Sequence, residues 1–311
     1  FFIGAKQEIF RLAEDFNRRY ESSKLTTSDL TLLLAIIKLK TVKPITSFLN
    51  QKDHQYVTVD ETQDLAFLEL FNLANLVKKQ SSLTLVGDLG QQIYSETNIS
   101  QWLGGVSPFY LSVSHRSTYQ IMNFAESTLG EGRKVSGRKG DVPKLFILNN
   151  ENVAVRELIN YIKENQEKQD NDLITIVART SKYANYLFSL LRPSFGSSVR
   201  RLSLDNLDEV DGITVAGLKE VKGLEFPHVI LWDVGYLNYP DSQLGRKALY
   251  VGSTRAEEQL TLFGFSQISP LISKRSNLVE VYEESYYEEQ NLSAEEHNLS
   301  ALNEFIGNEG D

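Results

Sequence analysis

Short runs rich in β-branched and aromatic residues alternate with amphipathic helical patterns along most of this 311-residue chain. The β-rich runs are Tyr56 to Val59, Leu83 to Val86, Phe109 to Val113, Lys144 to Leu148, Leu173 to Ala178, Ile213 to Ala216, Val229 to Trp232 and Leu260 to Phe263. The helical patterns that follow most of them are Leu65 to Lys79, Thr118 to Leu129, Val153 to Lys168 and Tyr183 to Leu191. Strands that alternate with helices are typical of parallel sheets covered on both faces. The sequence therefore predicts an α/β fold.

Two helical patterns precede the first of these strands. The apolar residues between Ile9 and Tyr20 follow the spacing of one helix face, which predicts a helix over about Lys6 to Tyr20. A second helix is predicted from Thr27 or Ser28, where a capping side chain precedes a run of leucines. At about 150 residues per domain, this length predicts two domains. We expect a helical lead-in at 1–50, the later part of a first domain at 51–113, a second domain at 114–273 and an acidic tail at 274–311.

The composition excludes several classes of protein. Because the chain has no cysteine, it has no disulfide framework, thiolate zinc site or cysteine nucleophile. Its longest apolar run, Leu32 to Ile37, is far shorter than the roughly 18 residues that span a bilayer. The start, Phe1 to Ala5, is too short for the apolar part of a signal peptide. We therefore expect a cytoplasmic protein with no membrane partner, and a piece of a longer chain.

The negative charge is concentrated at the end of the chain. Residues 277–311 contain ten acidic residues and no Lys or Arg, whereas the chain as a whole has 32 basic and 41 acidic residues. Such a segment is usually solvated and loosely ordered, so we expect a flexible tail. The alternative is that its tyrosines and acids lie in a basic groove and compete there with a polyanion. The net charge of −9 therefore says little against nucleic-acid binding by the rest of the chain.

The first chemical motif, V-T-V-D-E-T-Q-D, is an apolar strand that ends in adjacent carboxylates and runs from Val57 to Asp64. Ligands of parallel α/β sheets bind at the carboxyl ends of the strands. Asp60 is a candidate to hold Mg²⁺ through its waters, because this ion binds through one or two carboxylates and phosphate oxygens. Glu61 would point at an attacking water. The alternative is that both acids only complement the dipole at a helix N-terminus.

The second motif is another strand that ends in a polar turn, L-T-L-V-G-D-L-G-Q-Q-I-Y from Leu83 to Tyr94. The amide of Gln91 can bond a phosphate or a water. The ring of Tyr94 offers a face on which a base could stack, worth roughly 1–3 kcal/mol. The alternative for Tyr94 is an aromatic side chain at the edge of the core.

Three further motifs follow in the sequence. They are L-S-V-S-H-R-S from Leu111 to Ser117, K-G-L-E-F from Lys222 to Phe226, and L-Y-V-G-S-T-R-A from Leu249 to Ala256. Together with the first two, and in this order, they resemble motifs II to VI of the UvrD/Rep-type superfamily 1 helicases. Each short match is weak by itself, but the shared order covers most of the chain.

The resemblance implies two RecA-like parallel-sheet domains that bind ATP and Mg²⁺ between them and single-stranded or duplex DNA across their tops. It implies roles for individual residues. Gln91, Arg116 and Arg255 would surround the γ-phosphate, and Glu225, Gly223 and Tyr250 would belong to the nucleotide site. Tyr94, Lys219 and Lys222 would contact nucleic acid. Phosphoryl transfer depends on charge stabilisation, which independently favours the arginines; the alternative for them is surface ion pairing.

The chain also departs from this family. The phosphate-binding loop G-x-x-x-x-G-K-[ST], Walker A, is absent, so the first RecA-like domain would be incomplete. The nearest approach, Gly132 to Gly140, has Arg at the lysine position and follows motif II, whereas the family's loop precedes it. We therefore expect the chain alone to bind ATP poorly, and we expect the N-terminal region of the same protein to supply the loop.

Motifs III and V carry substitutions as well. Gly217 and Lys219 stand where the family usually has Thr and His, which removes a hydroxyl contact but keeps a phosphate-binding option. Ser95 and Glu96 stand where an aromatic residue and an Arg are common, which weakens the case for base stacking. The four histidines are scattered without ligand spacing, so structural roles are expected for them.

The short interval between Arg116 and Lys222 leaves no room for the large accessory domain of UvrD and Rep. This spacing resembles the HelD, or helicase IV-like, branch, which implies RNA polymerase as a partner. The leading hypothesis is the C-terminal part of an ATP-driven DNA translocase. The alternative is a non-catalytic module that binds RNA polymerase or another protein, and a nuclease is a third, weaker option.

Overall fold

The computed structural model of the chain describes residues 2–41, 54–77, 82–91, 109, 111, 113–130, 132–168, 173–203, 212–265 and 267–283. The chain divides into two compact units, residues 1–111 and residues 112–311. This division lies two residues before the boundary expected at 113/114. Among the described residues, no helix is both long and apolar enough to cross a bilayer.

Unit 1 begins with the two predicted helices, α1 (Phe2–Glu21) and α2 (Thr27–Lys40). Thr26 and Asp29 form a capping box at the start of α2. The carboxylate of Asp29 also accepts two hydrogen bonds of 2.7 Å from the guanidinium of Arg19 on α1. This pairing, with the bonds from Thr26, holds the pKa of Asp29 far below its usual value. The two helices are thus joined at their connecting turn by a buried carboxylate.

The rest of unit 1 contains two short parallel strands and one helix. Strand β1 (Val57–Val59) leads through a 3₁₀ turn into helix α3 (Phe67–Ala74), and strand β2 (Leu83–Leu85) pairs with β1 in parallel. The side-chain amide of Asn72 on α3 donates to the carbonyl of Thr31 on α2 at 2.8 Å. Both strands lie where the sequence predicts them, and α3 is shorter than the predicted Leu65 to Lys79.

Unit 2 begins with a small separate pair of strands. Strand β3 (Val113–Ser114) is followed by helix α4 (Tyr119–Leu129) and by strand β4 (Ser136–Gly137), which pairs with β3 in parallel. The side chain of Thr118 caps α4, and Gly130 ends it in the left-handed conformation. The predicted strand Phe109 to Val113 is therefore present in the described residues only from Val113 onward.

The main sheet of unit 2 has seven strands, and all of its described pairings are parallel. Its strands are β5 (Lys144–Ile147), β6 (Ile174–Ala178), β7 (Val199–Arg201), β8 (Ile213–Gly217), β9 (Phe226–Trp232), β10 (Ala256–Gly264) and β11 (Glu280–Glu283). Their order across the sheet is β11-β5-β10-β9-β6-β8-β7. The helices between them are α5 (Glu151–Lys168), α6 (Ser181–Phe195), α7 (Gln243–Ser253) and α8 (Pro270–Ser273). The predicted parallel α/β fold is confirmed.

Helices cover both faces of this sheet. Ile230 and Trp232 of β9 belong to a fully buried core that also contains Leu158 of α5 and Leu187 of α6. Their neighbour in the strand, Leu231, points the other way and packs against Gly252 of α7. Successive side chains of a strand point to opposite faces, so a strand that is buried on both sides has a continuous apolar sequence.

The beginning of the predicted acidic tail belongs to the sheet. Residues 280–283 form β11, which pairs with β5 at the edge. The ring of Tyr282 stacks on that of Phe146 with centroids 4.9 Å apart, and Phe146 stacks in turn on Phe263. The expectation of a flexible tail from residue 274 is therefore corrected, because residues 274–283 complete unit 2. Residues 284–311 lie outside the described part of the chain.

Candidate functional site

The hydrogen-bond ladder of unit 1 continues past the carboxyl ends of both strands. Beyond β1, the backbone nitrogen and the side-chain hydroxyl of Thr62 both donate to the carbonyl of Val86, at 3.0 and 2.8 Å. The nitrogen of Val86 donates back to the carbonyl of Val59 at 2.8 Å. The two polar turns, which contain motifs II and III, are therefore held side by side.

The two carboxylates of motif II lie at the exposed turn that follows β1. Glu61 has a φ of 51°, in the left-handed region that costs a non-glycine residue roughly 1–2 kcal/mol. Its backbone nitrogen donates to the carboxylate of Asp60 at 2.8 Å. Both side chains are exposed, as the predicted roles of Asp60 and Glu61 require.

Gln63 joins motif II to motif III, although sequence reasoning assigned it no role. Its side chain is 1% exposed. Its amide nitrogen donates to the carboxylate of Glu61, and its amide oxygen accepts from the nitrogen of Asp88 at 3.0 Å. A Cβ on Gly87 would lie 2.4 Å from that oxygen, so a larger residue there would displace the amide. The available signal was an amide, which can both donate and accept, placed two residues after the candidate acid at a strand end.

Asp88 organises the turn of motif III. Its carboxylate accepts from the nitrogen of Gly90 at 2.9 Å and from the side-chain amide of Gln91 at 3.0 Å. Gln91 thus lies at the same strand-end edge as Glu61, and three hydrogen bonds, through Gln63 and Asp88, link the two residues. Tyr94, the predicted base-stacking residue, lies outside the described residues.

The donor set at this edge suits a hard cation. Asp60, Glu61 and Asp88 offer only oxygen, which is what Mg²⁺ prefers. Within the described ranges, however, no group of three or more acidic or histidine side chains is close enough to hold a metal by itself. The residues therefore fit an ion bound through one or two carboxylates, with waters and phosphate oxygens completing its shell.

In unit 2, motifs IV, V and VI lie together. The guanidinium of Arg116 forms an ion pair with the carboxylate of Glu225, and their side chains are 75% and 26% exposed. The guanidinium of Arg255 donates to the carbonyl of Leu224 at 3.0 Å. Leu224 and Glu225 lead into β9, and each is contacted by one of the two arginines that the resemblance places at the γ-phosphate.

The two arginines differ in their surroundings. Arg255 is 4% exposed and also donates to the carbonyl of Val251 at 3.1 Å and to the hydroxyl of Thr254 at 3.2 Å. The resemblance implies the same role for Arg255 and Arg116, whereas of the two only the side chain of Arg116 is largely exposed. The role of each at a phosphate stays a prediction.

The turn between β8 and β9 carries the predicted nucleic-acid contacts. Lys219 is exposed, Lys222 is half-buried, and Gly223 has a φ of 82° that favours glycine. Glu220 anchors this turn, since its carboxylate accepts from the nitrogen of Gly217 at 2.6 Å and from Arg201 at 2.6 and 2.9 Å. Burial would raise the pKa of Glu220, but these hydrogen bonds hold it below its usual value.

The departure from the family at Gly217 has a steric cause. A Cβ at this position would lie 2.8 Å from the nitrogen and 3.0 Å from the Cα of Ser181, at the start of α6. The hydroxyl contact that a threonine makes in the family is therefore not simply missing. The close approach of α6 excludes it.

Tyr250, a predicted nucleotide-site residue, lies inside unit 2. It is 3% exposed, and its hydroxyl donates to the carboxylate of Glu126 on α4 at 3.2 Å. In this conformation its ring packs within the protein and joins α7 to α4. Its predicted role at the nucleotide stays a prediction.

The fold and the site define a class of protein, a parallel α/β chain with clustered acids at the strand ends of one unit and clustered arginines in the other. Residues 5–116 match the family model of the UvrD/REP helicase N-terminal domain, and residues 217–263 match that of the UvrD-like helicase C-terminal domain. The chain belongs to the UvrD/Rep superfamily 1 helicases.

Two curated relatives carry helicase names. The chain is 29% identical over 251 residues to the putative ATP-dependent DNA helicase R568 of Acanthamoeba polyphaga mimivirus. This match covers 71% of the chain and 36% of that protein. The chain is 31% identical over 143 residues to the ATP-dependent DNA helicase Rep of Buchnera aphidicola subsp. Baizongia pistaciae. This match covers 46% of the chain and 20% of that protein. The matches thus span well under half the length of these relatives.

A solved structure is also similar, the C-terminal domain of a possible DNA helicase from Lactobacillus plantarum WCFS1. It is 27% identical, covers 54% of this chain and 98% of that structure, and has a TM-score of 0.47.

Proposed function

We propose that this chain is the C-terminal portion of an ATP-dependent superfamily 1 DNA helicase or translocase, of the HelD-like branch. The observation that carries the proposal is the connection from Glu61 through Gln63 to Asp88, which holds motifs II and III at one edge. Such a connection gives a water-activating carboxylate and a phosphate-sensing turn a fixed spacing. A helix N-terminus that merely attracts acids requires no such bridge.

Each unit supplies its own part of the nucleotide chemistry. In unit 1, Asp60 would hold Mg²⁺, Glu61 would orient the attacking water and Gln91 would bond the γ-phosphate. When bound, Mg²⁺ neutralises charge on the phosphate oxygens. In unit 2, Arg116 and Arg255 stabilise negative charge that develops during transfer. Glu225 faces the nucleotide sugar, and Gly223 and Tyr250 belong to the nucleotide site.

Nucleic-acid binding is assigned to the turn after β8 and to motif III. Lys219 and Lys222 lie on a turn that Glu220 and Arg201 fix to the body of unit 2. Ammonium groups on a fixed turn bind the phosphate backbone without reading sequence. Tyr94 would add stacking on a base.

Because the chain lacks the Walker A loop, ATP hydrolysis has to be tested in a longer protein that contains it. The proposal requires a longer protein whose N-terminal region contains G-x-x-x-x-G-K-[ST], and we expect that protein to hydrolyse ATP when single-stranded DNA is present. Glu61→Gln should lower its kcat by a factor of about 10² or more, because the carboxylate acts on the water. The 311-residue chain alone should show neither turnover nor tight ATP binding. Robust hydrolysis by the chain alone, abolished by Glu61→Gln, would refute the requirement for the loop.

DNA binding can be tested on the chain itself. We expect a fluorescently labelled single strand to bind, and Lys219→Ala and Lys222→Ala each to reduce the slope of log K against log salt by about 0.7. Lys163→Ala on α5 is the matched control, since this exposed lysine lies on the same unit outside the turn. An equal effect of all three substitutions would remove the turn from the DNA site.

The HelD resemblance leads to the second candidate, a module that binds RNA polymerase without catalysis. A pull-down with RNA polymerase, made with the whole chain and with residues 284–311 deleted, separates the two. Polymerase capture together with an inactive longer protein would favour the module. ATP turnover by the longer protein favours the motor.

A further inference from the structure

The segment Gly132 to Gly140 comes nearest in sequence to a phosphate-binding loop. In the fold it lies beside motif IV. Its residues 136–137 form β4, which pairs with β3 just before Arg116. A Cβ on Gly137 would lie 2.8 Å from the carbonyl of Ser114, so glycine permits this close approach. The carbonyl of Arg138 accepts from the nitrogen of Tyr119 at 2.7 Å. The segment is therefore fixed alongside motif IV.

The guanidinium of Arg138 contacts both motif IV and the strand that follows motif VI. Its Nε and Nη2 donate to the carbonyl of Arg116 at 3.2 and 2.8 Å. Its Nη2 also donates to the carbonyl of Glu257 at 2.9 Å, and its Nη1 pairs with the carboxylate of Glu258 at 2.6 Å. The carbonyl of Glu257 in turn accepts from the nitrogen of Thr118 at 3.1 Å. One side chain thus links the backbone of residue 116 to the first residues of the strand β10.

These contacts fix the position of the Arg116 backbone more than they stabilise unit 2. The side chains of Arg138 and Glu258 are 41% and 54% exposed, and such ion pairs usually stabilise by less than about 1 kcal/mol. The bonds to the two carbonyls require the planar fork of a guanidinium, which a lysine cannot reproduce. Because the side chain of Arg116 is itself largely exposed, the reach of its guanidinium depends on where its backbone is held.

We propose that Arg138 is a positioning residue for Arg116, setting the backbone from which that arginine reaches the transferred phosphate. This inference rests on the proposed function, because it requires Arg116 to act in ATP hydrolysis. The basic segment around Arg138 would then serve phosphate chemistry indirectly, through motif IV, rather than as a phosphate-binding loop.

The activity test is a double-mutant cycle in the longer, Walker A-containing protein. Arg116→Ala should lower kcat by about 10³, and Arg138→Ala by about 10 to 10², as expected for a misplaced charge. The double variant should be no slower than Arg116→Ala within about twofold, because Arg138 acts only through Arg116. The KM for ATP should change little in Arg138→Ala, since the loss is in the transition state.

Two further variants separate position from charge and from folding. Arg138→Lys keeps the ion pair with Glu258 but loses the fork, and it should lose most of the rate that Arg138→Ala loses. Glu258→Gln removes the ion pair but keeps both carbonyl bonds, and its kcat should stay within about twofold of the wild type. Should Arg138→Ala fail to fold, Arg138→Lys takes its place in the cycle.

Hydrogen exchange of the chain supplies a readout that does not depend on activity. In Arg138→Lys, the amides of Thr118 and Tyr119 should exchange at least about tenfold faster, while those of β9 stay protected. Additive losses in the double variant, or unchanged exchange at Thr118 and Tyr119, would overturn the inference and leave the proposed function standing. An unchanged kcat in Arg116→Ala would instead remove Arg116 from the proposed function, and the inference would fall with it.

Discussion

The side-chain oxygen of Gln63 accepts a hydrogen bond of 3.0 Å from the backbone nitrogen of Asp88. This bond crosses from the end of β1 to the end of β2, while the other half of the same amide contacts Glu61. A buried amide that satisfies groups on two turns makes the geometry of one turn depend on the other. The acids of motif II and the glutamine of motif III are thus parts of one connected edge.

Gln63→Met should therefore destabilise unit 1. The substitution keeps the volume but leaves the nitrogen of Asp88 and the carboxylate of Glu61 without this partner, at a cost of about 1–3 kcal/mol. Hydrogen exchange of the peptide covering residues 57–64 measures the loss. Thr84→Val, at an exposed position of β2, is the control and should change the exchange little. Equal effects of the two substitutions would show that the bridge contributes nothing.

Gly217→Thr, which restores the family's residue, should destabilise unit 2 by about 1–3 kcal/mol. The new Cβ would meet the backbone of Ser181, so α6 would have to move away from β8. Urea unfolding followed by the fluorescence of Trp232, in a Trp102→Phe background, reports on this unit. Because the clash is with backbone atoms, a second substitution, Ser181→Gly, should not rescue it. Rescue would mean that the hydroxyl of Ser181, rather than the backbone of α6, excludes a side chain at 217.

Arg255→Lys should destabilise unit 2 by about 1–3 kcal/mol, since a lysine cannot satisfy both carbonyls that the buried guanidinium contacts. The resemblance implies for Arg255 a role at the γ-phosphate, and these buried bonds predict a structural contribution in addition. Arg200→Lys, on the exposed side of β7, is the matched control. Urea unfolding that is identical in the two variants would contradict a structural contribution of Arg255.

Two truncations within the acidic region should distinguish the residues that stabilise unit 2 from those that do not. Truncation after Glu283 keeps every contact described for β11 and should leave the unfolding free energy of unit 2 unchanged. Truncation after Ser273 removes β11 and the stacking of Tyr282 on Phe146, which exposes an aromatic face and an edge strand. We expect that shorter chain to be less stable by about 1–3 kcal/mol. Equal stability of the two truncated chains would remove β11 from the fold.

The sequence predicted the elements whose signal is local. Runs such as Leu83 to Val86 and Leu173 to Ala178 are apolar and bounded by turn residues, so their strands and their parallel arrangement followed from pattern alone. Strand β11 was not predicted, because Glu280-Val-Tyr-Glu283 is acidic and exposed. It pairs with β5, which is far away in the chain and whose Phe146 stacks on Tyr282. No local sequence pattern predicts that contact.

The site was predictable in its residue types but not in its contacts. The motif order placed Glu61, Asp88 and Gln91 at strand ends, whereas the bridging role of Gln63 depends on how closely two turns pack. Likewise, the burial of Arg255 depends on the carbonyl of Leu224 being presented by the turn after β8. The same turn brings Glu225 to Arg116. These are pairings between distant segments, and residue spacing along one sequence does not determine them.

His228 lies buried in β9 beside Tyr161 and Thr261. Its Nε2 is 3.1 Å from the hydroxyl oxygen of Thr261 and 3.4 Å from that of Tyr161. Burial, and after it the charge of Lys144, lower the pKa of His228 to about 4. In the unfolded chain the imidazole has its ordinary pKa near 6.5. The folded protein therefore keeps this side chain neutral in a range where the unfolded chain protonates it.

The sign of the pH effect follows from this difference. Above about pH 6.5 neither state binds the proton, so His228 contributes no pH dependence there. Between about pH 6.5 and 4 only the unfolded chain binds it, so the unfolding free energy should fall as the pH is lowered, by about 2–4 kcal/mol in all from this residue. Urea unfolding of the Trp102→Phe chain at several pH values measures the slope, and His228→Gln should make that slope shallower by the same amount. Other groups titrate identically in both chains, so parallel pH profiles would show that His228 is not held neutral in the folded state.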